Sequence, residues 1–225
     1  MVRMNGLFVP LILLFWGVLL IPSSGWGQTY YRPQFLDRDL AGGRIGVWTN
    51  TGDEVAADDF EYSMEFSKSS ICADFFYDWR LSRAIAFEVQ IGLYSRGDIE
   101  YKRDSGKYVG SVNIYPFFVA TKFYPLYSFE SMPVHLYLQP GVGFVIGSQS
   151  IVDYDLYYTY DLIQQETRAG FSYMLSAGLE WPVADQISLL LNYKYVPVKF
   201  SKPLAQLEDY SGWSLTFGVG YILSQ

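Results

Sequence analysis

One cysteine, Cys72, and one histidine, His135, are all that 225 residues offer of the side chains that build disulfides and metal centres. A lone cysteine excludes an internal disulfide. No helix start or basic cluster beside it marks a reactive thiolate, so Cys72 reads as a small inward-facing filler. One His and one Cys make no metal-ligand cluster. No cofactor motif is present either: Gly141, Gly143 and Gly147 are followed by neither a helix start nor the Lys-Ser/Thr that a phosphate cradle needs. Basic residues are scarce, 16 against 23 acidic, which argues against nucleic acid as a partner. Past Ile21 no apolar run reaches the roughly 20 residues of a membrane helix.

What is there begins with a leader. Residues 1–27 carry a single charge, Arg3, then an apolar run from Leu7 to Ile21, then small residues where a signal peptidase reads, at Gly25 and Gly27. This pattern predicts an export signal. No Cys follows it to carry a lipid anchor. Without Arg3, residues 28–225 hold 15 basic and 23 acidic side chains, a net charge of −8. Residues 28–42 show no periodicity and read as a short periplasmic lead-in, and 43–225 as one domain. An exported chain that is half hydrophobic, with 20 Tyr and 16 Phe, meets lipid through strands if at all.

From Gly43 onward eight segments alternate with period two, each compatible with the roughly 9–11 residues of a tilted transmembrane strand. In the last, Trp213, Leu215, Phe217, Val219, Tyr221 and Leu223 oppose Gly212, Ser214, Thr216, Gly218 and Gly220. Aromatics bracket an aliphatic middle, the order in which a strand crosses interface, hydrocarbon and interface. The third opposes Ile85, Phe87, Val89, Ile91 and Leu93 to Ala86, Glu88, Gln90, Gly92 and Tyr94; the second, fifth, sixth and seventh repeat the form. The first (about 43–50) is short, and the fourth (about 108–124) is apolar on both faces, so the pattern leaves their facing open. Tight connections at 80–83 and 182–186 and a moderate one at 125–133 alternate with long polar ones at 51–68, 95–108, 147–168 and 199–210. That predicts an all-β fold: an eight-stranded antiparallel up-and-down transmembrane barrel with both termini in the periplasm. Pro116 and Pro140 resist, because each removes a ladder donor inside a strand.

Thr216, Gly218, Tyr221 and Leu223 resemble the C-terminal insertion signal of bacterial outer-membrane barrels, although Ser224 and Gln225 follow where that signal usually stops. The run Gln139-Pro140-Gly141-Val142-Gly143-Phe144 and the strand pattern resemble small barrels of the OmpA, OmpX and OmpW kinds. The resemblance implies the outer membrane of a Gram-negative-type bacterium, insertion by the barrel-assembly machinery, and lipid and lipopolysaccharide as surroundings. An OmpW-like barrel would pass small apolar solutes. The lipid A deacylase family is also of this size but places a Ser two residues after its catalytic His, where this chain has Tyr137 after His135.

The inward charges Arg44, Asp74, Asp78, Arg80, Glu88, Glu180 and Lys194 are the most informative polar set. A barrel of eight strands is only wide enough for side chains to fill it, so they must pair inside. Glu88 and Lys194 are expected to meet across the axis and plug the lumen. No catalytic residue and no cofactor is expected. The acidic stretch 51–68 and the tyrosines Tyr154, Tyr157, Tyr158 and Tyr160 read as outer loops suited to glycan or surface contact, the carboxylates to divalent ions that crosslink lipopolysaccharide.

Overall fold

The computed structural model describes residues 35–52, 68–103, 106–129, 132–154, 160–205 and 207–223. The leader, the acids of 53–67, and Tyr157 and Tyr158 lie outside the described residues. A one-turn 3₁₀ helix, Phe35–Asp37, precedes ten strands: β1 (Leu40–Asn50), β2 (Ser69–Arg80), β3 (Ile85–Arg103), β4 (Gly106–Phe123), β5 (His135–Tyr154), β6 (Tyr160–Ala184), β7 (Ile187–Val196), β8 (Lys199–Leu204), β9 (Leu207–Asp209) and β10 (Gly212–Ile222). Eight of them close into one antiparallel barrel in the order β1-β10-β7-β6-β5-β4-β3-β2, while β8 and β9 form a separate two-stranded sheet. β1 and β10 make the seam, paired without a shift from Leu40↔Ile222 to Asn50↔Gly212.

The period-two patterns sort outside from inside. Ile45, Ile71, Phe75, Ile91, Leu138, Phe144, Phe171, Leu175, Phe217 and Val219 are exposed on the wall, several by more than half of their surface. So large an apolar surface is at home in hydrocarbon, not in water. Closure leaves no ladder edge within that belt. The two faces that the sequence left open resolve the same way: Arg44 and Trp48 of β1, and Val112, Ile114, Phe118 and Lys122 of β4 with Tyr124 just after it, are buried in the lumen.

Three expectations need correction. β1 starts at Leu40, not Gly43. The polar stretches 95–108 and 147–168 are not loops: β3 to β6 run 19, 18, 20 and 25 residues and stay paired to their tips. About 10 residues cross a bilayer, so the remainder stands above it. There the outward positions no longer need apolar side chains, and the alternation fades while the hydrogen bonds persist. The stretch 199–210, also expected to be a polar loop, is the β8–β9 hairpin. The prolines, in turn, sit where the ladder lapses. β3–β4 pairing breaks between Ile91↔Phe117 and Tyr94↔Ile114, beside Pro116. β4–β5 pairing breaks between Ala120↔Gly141 and Phe123↔Leu138, beside Pro140. No bulge occurs at either proline; the shift in β3 lies at Ser95/Gly97.

Candidate functional site

The interior is where the chemistry lies. Six barrel strands aim a charged side chain inward, and the register decides who meets whom. Arg44 on β1 stands directly beside Asp74 on β2, and its Nε donates to the Asp74 carboxylate at 2.5 Å. Its Nη2 reaches on to Glu88 of β3 at 2.8 Å and to Gln90 at 3.1 Å. Asp78 of β2 and Glu88 of β3 are register partners, two like charges side by side, an arrangement that destabilises a sheet unless something bridges it. Lys122 of β4 is that bridge: its Nζ lies 2.6 Å from Asp78 and 2.8 Å from Glu88.

Toward the short-turn end, Arg80 of β2 lies 4.0 Å from Asp78 and reaches across the barrel to Glu180 of β6 at 2.8 Å. Tyr124 donates its hydroxyl to the other Glu180 oxygen at 2.6 Å. Toward the long-hairpin end, Lys194 of β7 donates to Asp74 at 3.0 Å and to Gln90 at 3.4 Å. The eight groups form one strictly alternating line: Lys194, Asp74, Arg44, Glu88, Lys122, Asp78, Arg80, Glu180. Four positive and four negative charges cancel, and all eight are buried or nearly so. Aromatic faces cover the cations: Arg44 and Lys122 lie over Phe76, Lys122 over Tyr137, and Arg80 over Tyr124. A neutral cluster completes the packing, with Asn192 donating to Tyr137 and Ser176, and Ser176 to Gln139.

The sequence-derived set Arg44, Asp74, Asp78, Arg80, Glu88, Glu180 and Lys194 is thus brought together, but not with the expected partners. Lys194 bonds Asp74 and Glu88 bonds Arg44 and Lys122, so the expected Glu88–Lys194 pair is relayed through Asp74 and Arg44. Lys122 was missed because β4 is apolar on both faces and its facing could not be read. The inner apolar residues of β4 that hid it belong to one buried cluster with residues of β8 and β9, segments about 80 residues further on.

Other expected positions are scattered. His135 is buried at the short-turn end, stacked on Phe35 at 5.6 Å between ring centroids and in register with Glu180. Phe35, Leu36 and Leu40 join Tyr124, Tyr137 and Leu190 in an apolar cluster that covers this end, so the lead-in expected over 28–42 is a cap from Phe35 on. On β10, Thr216 and Gly218 point inward, and Tyr221 is exposed on the wall. Tyr154 and Tyr160 are backbone register partners at the end of the paired part of β5 and β6. Among the described residues no group of His, Cys, Asp and Glu is arranged to hold a metal ion.

No protein-family model and no curated protein matches the chain. Solved structures do. A major outer membrane protein from Thermus thermophilus superposes with a TM-score of 0.55 at 11% identity, covering 83% of this chain and 98% of that one. Outer membrane protein OprG from Pseudomonas aeruginosa gives 0.52 at 12% identity, over 84% and 97%. The attachment invasion locus protein Ail of Yersinia pestis gives 0.49 at 16% identity, over 83% and 99%. At such identities the likeness is one of fold.

Proposed function

Because this chain has the fold of the small bacterial outer-membrane β-barrels, we propose that it resides in the outer membrane as a barrel whose lumen is closed by its own side chains, in a structural or surface-interaction role. The observation that carries this is the alternating line of eight charges. Each member is held by at least one opposite charge within 3.0 Å, and moving an ion past them would strand charges in a low dielectric. The apolar belt and the closed ladder support a lipid environment, and Thr216, Gly218, Tyr221 and Leu223 would serve the assembly machinery. The paired tips of β3–β4 and β5–β6, standing above the belt, offer the surface for lipopolysaccharide or a glycan partner, and Tyr154 and Tyr160 end the paired part of β5–β6; Tyr157 and Tyr158, outside the described residues, are proposed to add to the same contact. Catalysis finds no support: His135 lies at the end opposite the outer leaflet and is covered by Phe35.

Single-channel recording of the refolded protein in planar bilayers tests the closed lumen. No steps above the lipid baseline are expected. Regular conductance steps from the unmodified chain would overturn the reading.

A second reading is a narrow passage for small apolar solutes, starting from a gap in the wall with room for about one water. Where β3–β4 pairing lapses at Gly92 and Pro116, a small cavity in the wall is bounded by Ala73 and Leu93 on the lipid side and by Tyr94 and Lys194 inside. Uptake of an alkane by vesicles containing the protein, compared with empty vesicles, separates the two.

A further inference from the structure

The connection between β7 and β10 does not stand in solvent. Phe200, Leu204, Ala205, Leu207 and Tyr210 are all at most 5% exposed, while Lys199, Ser201, Lys202, Pro203 and Glu208 on the opposite side are exposed. The buried face joins Trp48, Tyr94, Val112, Ile114 and Val145 of the barrel wall in one apolar cluster at the long-hairpin end of the lumen, beyond the charges. The seat is shaped for it. A β-carbon at Gly147 of β5 would lie 2.6 Å from Leu204 Cδ2 and 2.9 Å from Phe200 Cζ, and one at Gly170 of β6 would lie 3.1 Å from the Lys199 carbonyl oxygen.

How this hairpin is attached differs from how every barrel strand is attached. β8 and β9 pair with each other, at Lys199↔Asp209 and Leu204↔Leu207, and with no strand of the barrel sheet. A narrow neck joins them to the wall: Tyr210 N–H donates to the Val198 carbonyl at 2.8 Å, and Val198 N–H to the Ser211 hydroxyl at 2.9 Å. At the far end Ala205 N–H donates to the Gln149 side chain at 2.8 Å. Ala205 has φ of 48°, a left-handed conformation that a residue with a β-carbon adopts at a cost. The closed position is therefore held mainly by burial of apolar side chains, and the left-handed Ala205 lies in the hairpin's own turn, away from the neck. The barrel ladder need not break for the hairpin to leave.

We infer that the β8–β9 hairpin is a hinged lid, turning at the neck of Val198 and Ser211, that opens and closes the outer chamber above the charge line. This goes beyond the closed lumen proposed above, because the chamber can open to the outside while the charges still seal the passage below. Ile114, fully buried and in register with Gly147 beneath the lid, is the place to look.

The test uses Ile114→Cys in a Cys72→Ser background, refolded into lipid vesicles and exposed to a membrane-impermeant maleimide. With the lid intact, labelling is expected to be slow but measurable. It should rise at least tenfold when the seat is filled by Gly147→Val, and equally when the lid alone is altered by Phe200→Ser with Leu204→Ser, a pair that leaves the β5 ladder untouched. Gel mobility without heating verifies that each barrel is folded. Equal rates with and without lid changes would overturn the inference. So would a lid-intact protein that stays unlabelled over days while its denatured form reacts in minutes, since that describes a fixed plug. Conductance of the same variants reads the charge line separately: steps there count against the closed lumen and not against the lid.

Discussion

Replacing Lys122 with methionine asks the most of the charge line. Its ammonium touches two carboxylates, Asp78 at 2.6 Å and Glu88 at 2.8 Å. At an effective dielectric of about 20, each contact is worth about 6 kcal/mol before desolvation is counted. Stripping water from the three groups offsets most of this, so the informative quantity is what remains unpaired after the change. Lys122→Met leaves the neighbouring carboxylates of Asp78 and Glu88 without their bridge. Glu88 keeps Arg44 at 2.8 Å, but Asp78 keeps only Arg80 at 4.0 Å. Breaking a buried pair in this way costs about 3–5 kcal/mol. Lys194→Met is the control, because Asp74 retains Arg44 at 2.5 Å and the Lys194 side chain is 7% exposed. Its cost should be nearer about 1.5–3 kcal/mol, that of losing a charge-assisted hydrogen bond. Adding Asp78→Asn to Lys122→Met should recover part of the loss, and a double-mutant cycle should give Glu88 a larger coupling to Lys122 than to Lys194. Equilibrium urea unfolding in lipid vesicles, followed by tryptophan fluorescence, measures all of these. If Lys122→Met lost less than Lys194→Met, or if Asp78→Asn deepened the loss, the bridge would not be the function of Lys122.

Two further outcomes test other parts of the molecule. Leu191 faces outward at mid-length of β7, opposite Phe217 of β10, so Leu191→Arg should cost about 2–4 kcal/mol in the same unfolding assay if that face meets hydrocarbon; a neutral effect would argue for a wall in water. In the lid, partial burial pushes the Asp209 carboxyl upward, yet the hydroxyl and amide of Ser211 and the Lys199 ammonium outweigh it and hold the group below the usual carboxylate range. A depressed folded-state value means that its contribution is present above the unfolded carboxylate range and is lost as pH falls through the folded value. Amide exchange protection at Tyr210 should therefore drop on acidification in the natural chain and respond less in Asp209→Asn, and an unchanged acid response in that variant would exclude Asp209 as its source.

How much of this was legible beforehand depended on where each residue's partner lies. Wherever one face meets lipid and the other meets polar groups, alternation alone reads the facing, as in β2, β3 and β7, and the inward placement of Asp74, Glu88 and Lys194 followed. Pairing did not follow, because period two gives direction and not height or angle around the axis; Glu88 and Lys194 both point inward and are bonded to other residues. In β4 the signal failed for a physical reason. Val112, Ile114 and Phe118 are apolar and inward because they face the lid cluster, so both faces of the strand look alike and Lys122 was lost with them. The lid itself interleaves Lys199, Lys202, Glu208 and Asp209 with Phe200, Leu204 and Leu207, which reads as a polar loop until a hydrophobic chamber is there to receive one side of it.

The charge line also bears on how the barrel comes together. Lys194 and Asp74 are 120 residues apart in the chain, and Arg80 and Glu180 are 100 apart; the seam joins residue 40 to residue 222. Contacts so remote in sequence form late and slowly, after the entropy of closing long loops has been lost. A sheet that entered the bilayer before its first and last strands met would keep the six charges that β1 to β4 pair among themselves, but it would leave Glu180 of β6 and Lys194 of β7 facing hydrocarbon without Arg80 and Asp74. Such half-closed forms are therefore high in energy, and insertion is expected to be all-or-none: the chain stays outside the apolar layer until β10 arrives, and then the seam, the two ion pairs across the lumen and the lipid-facing wall form together.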